Sequence, residues 1–300
     1  MTAQREVPRV AADDLASELE LVREARIDDL LGGDRRQPRE ASGVHFANGH
    51  LHVVFDNTAE ILRLRPDWDS AGEAPVLMDS QARGGYEDIT YQPDAARWYC
   101  LIEASQTPAG TYQPGIDEFD ASFRLLGSHW LEYQVKRENK GIEGISHLRR
   151  GGAEYLLALT EGNHGADGAL GRRGGGGRIH VFTPQDDESW RHVATIDLPA
   201  SLAAVDYSGI SVRGNRIAVL SQCSGVLWTG YLSPDTWDIM DQGRTCRLPP
   251  DDRGRVVYGT AEGVSWLSAN TVVIASDRAK HEQPQRIRAK DQSLHVFRLP

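Results

Sequence analysis

Five short segments of this 300-residue chain carry the side chains that could do chemistry. Each segment reads Ser or Glu, then a small or short residue, then Val or Ile, and the Ser or Glu positions are Ser42, Glu87, Glu143, Ser208 and Glu262. Three partly buried carboxylates that meet at one site repel one another, and a bound cation relieves that repulsion. Ligation by Glu and Ser oxygens suits a hard ion, so we expect Ca²⁺ at this site, with Mg²⁺ as the alternative. The competing interpretation is that these side chains only hydrogen-bond backbone amides around a water-filled channel.

The spacing of the five residues, 45 to 65 positions, is that expected for the blades of a β-propeller. A turn and an apolar, β-branched run follow each segment, which is typical of a hairpin. Each run ends on a polar residue, and these residues are Asp56, Glu103, Glu161, Gln222 and Asp277. Third strands are predicted at 61–64, 122–125, 178–182, 226–232 and 294–299. Fourth strands are predicted at 75–78, 130–135, 190–198 and 245–248.

The fifth repeat lacks a fourth strand because the chain stops at Pro300. A strand at about 18–27 would fill that place and close the ring, although the same residues also fit a helical stripe. The sequence therefore predicts an all-β fold, a five-bladed β-propeller closed by an N-terminal strand in the last blade, with a six-bladed ring as the alternative. Residues 1–16 are expected to be a flexible N-terminal segment, and residues 17–300 a single propeller domain.

The order Ser, Glu, Glu, Ser, Glu along the blades resembles the calcium-activated nucleotidases, or apyrases. These are five-bladed propellers whose central tunnel holds a calcium ion surrounded by Ser and Glu side chains, one from each blade. The Glu-Gly-Ile/Val motifs and residues 159–163 are also similar to bacterial propellers described as esterase-like or phytase-like. This resemblance covers the five motifs and the blade pattern, and it implies a calcium ion surrounded by the five motif side chains.

Strand alternation places the five motif residues and the polar residues that end the second strands at the same mouth of the channel. The long connections 104–121, 162–177 and 278–293 are expected to project over this mouth, and two of them are basic. A basic rim above a cation favours a small anionic ligand. We therefore expect a metal-dependent hydrolase of a phosphate ester, phosphoanhydride or carboxylic ester.

In that hydrolase, Glu161 or Asp277 is the expected general base, and His164 and Arg278 bind or protonate the leaving group. The sequence has no Gly-x-Ser-x-Gly motif, so a serine hydrolase is not expected. The alternative is a non-catalytic propeller with a structural ion that binds a ligand or a protein. A fold of this kind hosts many activities, so the fold does not choose between the two.

Composition narrows the classes of partner. A net charge of −10 argues against a nucleic-acid binder, since neutralising phosphates needs a basic face. The sequence contains no run of about 18 apolar residues, so no membrane span is predicted. The first residues do not read as a signal peptide, so we expect the protein in the cytoplasm. We also expect a monomer. The three cysteines have no CxxC spacing, which predicts reduced thiols rather than disulfides or a zinc site.

Overall fold

The computed structural model of the protein describes residues 17–32, 38–68, 75–78, 85–135, 141–166, 168–186 and 189–300. The chain begins with strands β1 (Ser17–Glu18) and β2 (Glu20–Arg26) and the short helix α1 (Ile27–Leu30). The remaining described strands form meanders of antiparallel neighbours in chain order. The first meander consists of β3 (Ala41–Ala47), β4 (His50–Phe55), β5 (Glu60–Leu64) and β6 (Val76–Leu77).

Four further meanders follow in the described residues. The second consists of β7 (Asp88–Gln92), β8 (Arg97–Gln106), β9 (Tyr112–Phe119) and β10 (Leu125–Leu131). The third consists of β11 (Ile142–Arg150), β12 (Ala153–Thr160), the short helix α2 (Gly168–Gly171), β13 (Arg178–Pro184) and β14 (Ser189–Asp197). The fourth consists of β15 (Tyr207–Arg213), β16 (Arg216–Ser221), β17 (Val226–Tyr231) and β18 (Arg244–Arg247). The fifth consists of β19 (Ala261–Trp266), β20 (Thr271–Ser276), the helical turn α3 (Gln285–Arg288) and β21 (Ser293–Arg298).

The N-terminal strand completes the last meander, as the sequence predicts. Strand β2 pairs antiparallel with β21, from Glu20 opposite Arg298 to Arg26 opposite Ser293. The preceding strand β1 was not predicted, and it pairs in parallel with β18 of the fourth meander. The start of the chain therefore joins two neighbouring meanders, and both sheet edges gain a hydrogen-bonded partner.

The first strands of the meanders line a closed ring. Each of β3, β7, β11, β15 and β19 contacts the next in order, and β19 contacts β3. Apolar cores lie between neighbouring meanders; one joins Val44 and Leu51 of the first meander to Val273 and Leu294 of the fifth. Burial of such faces between twisted sheets is what holds a propeller together. The predicted all-β propeller is confirmed, and the number of blades stays a prediction.

The second meander differs from its predicted strands. The sequence placed its third strand at 122–125 after a loop at 104–121, but β9 occupies Tyr112–Phe119 and β10 begins at Leu125. The acidic residues of β9 obscured it, because Asp117 lies in the core and accepts hydrogen bonds from the hydroxyls of Tyr86 (2.6 Å) and Ser128 (2.5 Å). The connection expected over the channel mouth is therefore much shorter.

Some predictions fall on particular residues or outside the described parts of the chain. The thiols of Cys100, Cys223 and Cys246 are free, as expected, and two of them are buried. The predicted flexible segment at 1–16 lies outside the described residues. In the parts that are described, no helix has the length and apolar character needed to cross a bilayer. Location in the cytoplasm stays a prediction.

Candidate metal centre

A β-bulge positions the Ser or Glu of four motifs. The pairing between first and second strands shifts register on either side of Ser42, Glu143, Ser208 and Glu262. A bulge leaves one residue out of the ladder and re-aims its side chain. In the second meander Glu87 lies just before β7, and its N–H donates to the carbonyl of Leu101 (2.9 Å). The repeated motif is thus a way to turn one polar side chain per meander out of the pleat.

The small residue that follows allows neighbouring inner strands to approach closely. A Cβ atom at Gly209 would lie 2.3 Å from the carbonyl oxygen of Glu262, and one at Gly43 would lie 2.6 Å from the Cα atom of Asp88. The second motif has Asp88 at this position instead of glycine. Its buried carboxylate accepts the N–H groups of Ile145 and of its neighbour Ile89, each at 2.8 Å. Neighbouring inner strands therefore approach one another closely beside the motif residues.

The two motif serines bond to the backbone of the next meander. The hydroxyl of Ser42 donates to the carbonyl of Tyr86, and that of Ser208 donates to the carbonyl of Ala261 at 2.8 Å. Each of these carbonyls belongs to the residue before a motif glutamate. Both serines therefore hydrogen-bond to the backbone, as expected if the motif side chains surround a water-filled channel rather than an ion. A hydroxyl oxygen that donates its proton still has lone pairs for a cation.

The motif glutamates lie close enough to perturb one another. Burial, followed by the charges of Glu103, Asp56 and Asp277, raises the pKa of Glu87 to about 8. Burial also raises the pKa of Glu262 well above its ordinary value, and the charges of Asp277, Glu87, Glu143 and Asp56 add to the effect. The structure thus brings Glu87, Glu143 and Glu262 together. It also places Asp56 and Asp277 near them, and these two acids directly follow the second strands β4 and β20.

These two acids form a tight group with a residue that sequence reasoning missed. Carboxylate oxygens of Glu40, Asp56 and Asp277 lie within 4.8 Å of one another, and all three residues are half-buried. Among the described residues, Asp56 Oδ1 is buried without a hydrogen-bond partner. We name Glu40, Asp56 and Asp277 the acidic triplet. Converging half-buried carboxylates form the kind of oxygen cage that hard divalent cations prefer.

Two members of the acidic triplet, Asp56 and Asp277, have raised pKa values because they are crowded and partly buried. Burial and the neighbouring Glu40 raise the pKa of Asp56 to about 6. Burial, with Asp56 and Glu40, raises the pKa of Asp277 to about 7 against the opposing N–H of Arg278. Glu40 lies just before the first motif, and its carbonyl accepts the N–H of Asp56 (2.9 Å), but no repeated column of acids marks it in the sequence.

The four residues proposed for catalysis fall into two groups. Asp277 belongs to the acidic triplet, and the guanidinium of Arg278 lies 3.5 Å from a carboxylate oxygen of Glu40. Glu161 follows β12 of the third meander. The pKa of Cys223 is raised by burial, by Asp206 and, to a smaller extent, by the charge of Glu161. His164 has left-handed backbone (φ 59°), and its N–H donates to Gly176 (2.6 Å). Glu161 and His164 do not belong to the acidic triplet.

The predicted basic rim is partly engaged by the protein itself. Lys290 pairs with Glu24 at 2.6 Å, and Arg286 donates to the carbonyl of Val256 at 3.1 Å. Arg278 pairs with Glu40, while Arg172 is exposed. The rim available to an anionic ligand is therefore smaller than the count of basic residues suggests.

Ser276, which directly precedes Asp277, begins a hydrogen-bonded series of serine, histidine and glutamate side chains. Ser276 Oγ lies 3.1 Å from His295 Nε2, and His295 Nδ1 lies 3.3 Å from Glu24 Oε2. The order resembles that of a catalytic triad. Both Ser276 and His295 are 0% exposed, so an ester has no access to the hydroxyl. This chain instead ties the N-terminal strand to β20 and β21.

Comparisons with known proteins show the fold only. No protein-family model matches the chain, and no curated protein matches it. Glutaminyl cyclase from Myxococcus xanthus superposes with a TM-score of 0.54 at 12% identity, covering 93% of this chain and 95% of the other. A luciferin-regenerating enzyme has a TM-score of 0.50 at 10% identity, covering 92% and 94%. A PQQ-bound aldose sugar dehydrogenase from Streptomyces coelicolor has a TM-score of 0.49 at 12% identity, covering 94% and 98%.

Proposed function

We propose that the five meanders are the five blades of a propeller whose channel mouth binds a divalent cation. Ca²⁺ is the favoured ion and Mg²⁺ the alternative. The observation that carries the proposal is the crowding of Glu87 and Glu262 with Asp56 and Asp277 of the acidic triplet, which raises the pKa values of these four carboxyls. Without a cation such carboxyls must take up protons or repel one another. The irregular oxygen cage suits Ca²⁺ better than the strict octahedron of Mg²⁺.

The function that this site supports best is hydrolysis of a small anionic substrate, a phosphate ester or anhydride or a carboxylic ester. A bound cation would polarise the substrate or lower the pKa of a water molecule. Asp277 is the favoured general base, because its carboxylate lies within 4.8 Å of those of Glu40 and Asp56, next to the place where the cation and its water would bind. Arg278 is half exposed beside the acidic triplet and would bind the anionic part of the substrate. The order of the motif residues, which resembles the apyrases, supports this choice of reaction.

A non-catalytic propeller is the second candidate. It is favoured by the hydroxyls of Ser42 and Ser208, which bond to backbone carbonyls. In that case the cation only neutralises the channel mouth, and the propeller binds a ligand or a protein.

Hydrolysis assays distinguish the candidates. Wild-type protein is tested on a panel of phosphate esters, phosphoanhydrides and carboxylic esters, with excess Ca²⁺ and with chelator. The hydrolase proposal predicts Ca²⁺-dependent turnover that Asp277→Ala abolishes and that Glu161→Ala and the exposed Asp238→Asn retain. Saturable Ca²⁺ binding with no turnover of any substrate would favour the non-catalytic propeller. Turnover that Asp277→Ala leaves unchanged would remove Asp277 from the mechanism.

A further inference from the structure

Two histidines and a threonine meet on the third and fourth strands of the third meander, away from its inner strand β11. His180 lies on β13, and His192 and Thr195 lie on β14. His180 Nδ1 is 3.1 Å from His192 Nε2 and 3.0 Å from Thr195 Oγ1, and the last two atoms are 3.1 Å apart. Three donor atoms thus form a nearly equilateral triangle.

The local strand pairing explains how the three residues meet. Thr195 lies directly opposite His180, and a register shift between Val181 and Phe182 brings His192 opposite Phe182. This irregularity moves His192 next to His180 on the same face. Both strands are hydrogen-bonded in an antiparallel ladder on either side of the register shift, so the backbone holds the residues that carry the ring nitrogens in place. Such preorganisation lowers the entropy lost when a ligand is bound.

We propose that His180, His192 and Thr195 bind a divalent transition-metal ion of the zinc, nickel or copper type. Imidazole nitrogen suits these ions, unlike the oxygen cage at the channel mouth. An ion at about 2.0–2.1 Å from each atom would lie roughly 1 Å out of the plane of the triangle. Two nitrogens 3.1 Å apart would then subtend an angle of roughly 100° at the ion, between tetrahedral and square geometry.

The surroundings leave the triangle open to solvent on one side. His180 itself is 6% exposed. Tyr133 covers His180 with ring centroids 4.3 Å apart, while Thr195 is exposed and His192 is half-buried. Solvent therefore reaches the triangle from the Thr195 side, where water would complete the coordination.

Zinc titration of the full-length protein tests the proposal. Calorimetry is run with excess Ca²⁺ present, so that the carboxylates at the channel mouth do not bind the added Zn²⁺. We expect one equivalent of Zn²⁺ to bind saturably, and His192→Gln to weaken that binding at least tenfold. His281→Gln removes one exposed histidine elsewhere and is the matched control, which should bind Zn²⁺ as wild type does.

Electron paramagnetic resonance of a Cu²⁺-loaded sample gives a second readout. Coupling to two imidazole nitrogens is expected in wild type, and to one or none in His192→Gln. His192 is half-buried, so this substitution is expected to preserve the fold, and circular dichroism checks that it does. Absence of saturable Zn²⁺ binding would overturn the proposal. Equal binding by wild type, His192→Gln and His281→Gln would assign any bound zinc to scattered surface histidines and would overturn it as well.

Discussion

The crowded carboxyls at the channel mouth predict that the metal-free protein loses stability as the pH rises above neutral. Glu87 has a pKa of about 8 in the folded protein and an ordinary value of 4.5. Between these values the folded state holds a proton that the unfolded state has released. Stability is therefore highest at low pH for this group and falls as the pH rises through the folded pKa, the opposite of a salt-bridged carboxylate.

The size of the effect follows from the pKa of Glu87. Between pH 7 and pH 9 this one group lowers the free energy of unfolding by about 1.4 kcal/mol, and Asp277 adds a few tenths. That corresponds to roughly 2–3 °C in melting temperature for a chain of this size. Histidines with lowered pKa values act in the opposite direction, but mainly below about pH 6.5, so they do not affect this window.

Thermal and urea unfolding at pH 7 and pH 9, with chelator and with excess Ca²⁺, measure the effect. Glu87→Gln should reduce the fall in stability of the chelated protein by about 1.4 kcal/mol, since Glu262 and Asp277 still contribute, whereas the exposed control Asp238→Asn should leave it unchanged. Ca²⁺ at 100 times its Kd at pH 7 should raise stability by about 2.7 kcal/mol, and the same concentration should raise it more at pH 9, because deprotonated carboxyls bind the ion more tightly. A chelated wild-type protein whose stability is flat or rises between pH 7 and pH 9 would show that these carboxyls are not crowded in the folded state.

Three further predictions follow from the closure of the ring and from its packing. Removal of residues 17–26 should lower the melting temperature strongly, since these residues fill the edges of two meanders; unchanged melting would show that the ring closes without them. Gly209→Ala should destabilise the protein by about 1–3 kcal/mol in urea unfolding, because its Cβ would lie 2.3 Å from a carbonyl oxygen. In Gly115→Ala the nearest atom is 3.6 Å away, so equal losses in the two variants would contradict the packing argument. Glu24→Gln should remove stability that wild type shows above pH 4.5 and loses towards pH 2, because hydrogen bonding to His295 and Lys290 lowers the pKa of Glu24 to about 2; identical acid unfolding curves would count against it.

Much of the architecture follows from the repeated motif. The spacing of the motif predicts the meanders. The fifth repeat lacks a fourth strand, and this predicts the pairing of β2 with β21. The pairing of β1 with β18 was out of reach, since a two-residue parallel strand has no periodicity to detect. The strand at Tyr112–Phe119 was missed because Asp117 is a buried acid whose partners, Tyr86 and Ser128, are distant in sequence.

The candidate site was predictable only where the repeat exposes it. The motif glutamates and Asp56 and Asp277 occupy repeated columns, so alternation of strand direction places them at one mouth. Glu40 belongs to no repeated column of acids, and only the three-dimensional structure puts it beside Asp56. The sequence does not predict that His180 and His192 lie together, because a register shift inside the hairpin decides whether their rings meet.

A crystal structure of the protein grown with Ca²⁺, with anomalous scattering to locate the ion, tests whether the channel mouth binds a divalent cation. We expect an ion there with carboxylate oxygens of the motif glutamates or the acidic triplet at about 2.3–2.6 Å, or linked to it through water. Soaking with chelator should remove the ion and leave the strands in place. A channel mouth that contains only water at saturating Ca²⁺, with Glu87 and Glu262 pointing apart, would contradict this expectation.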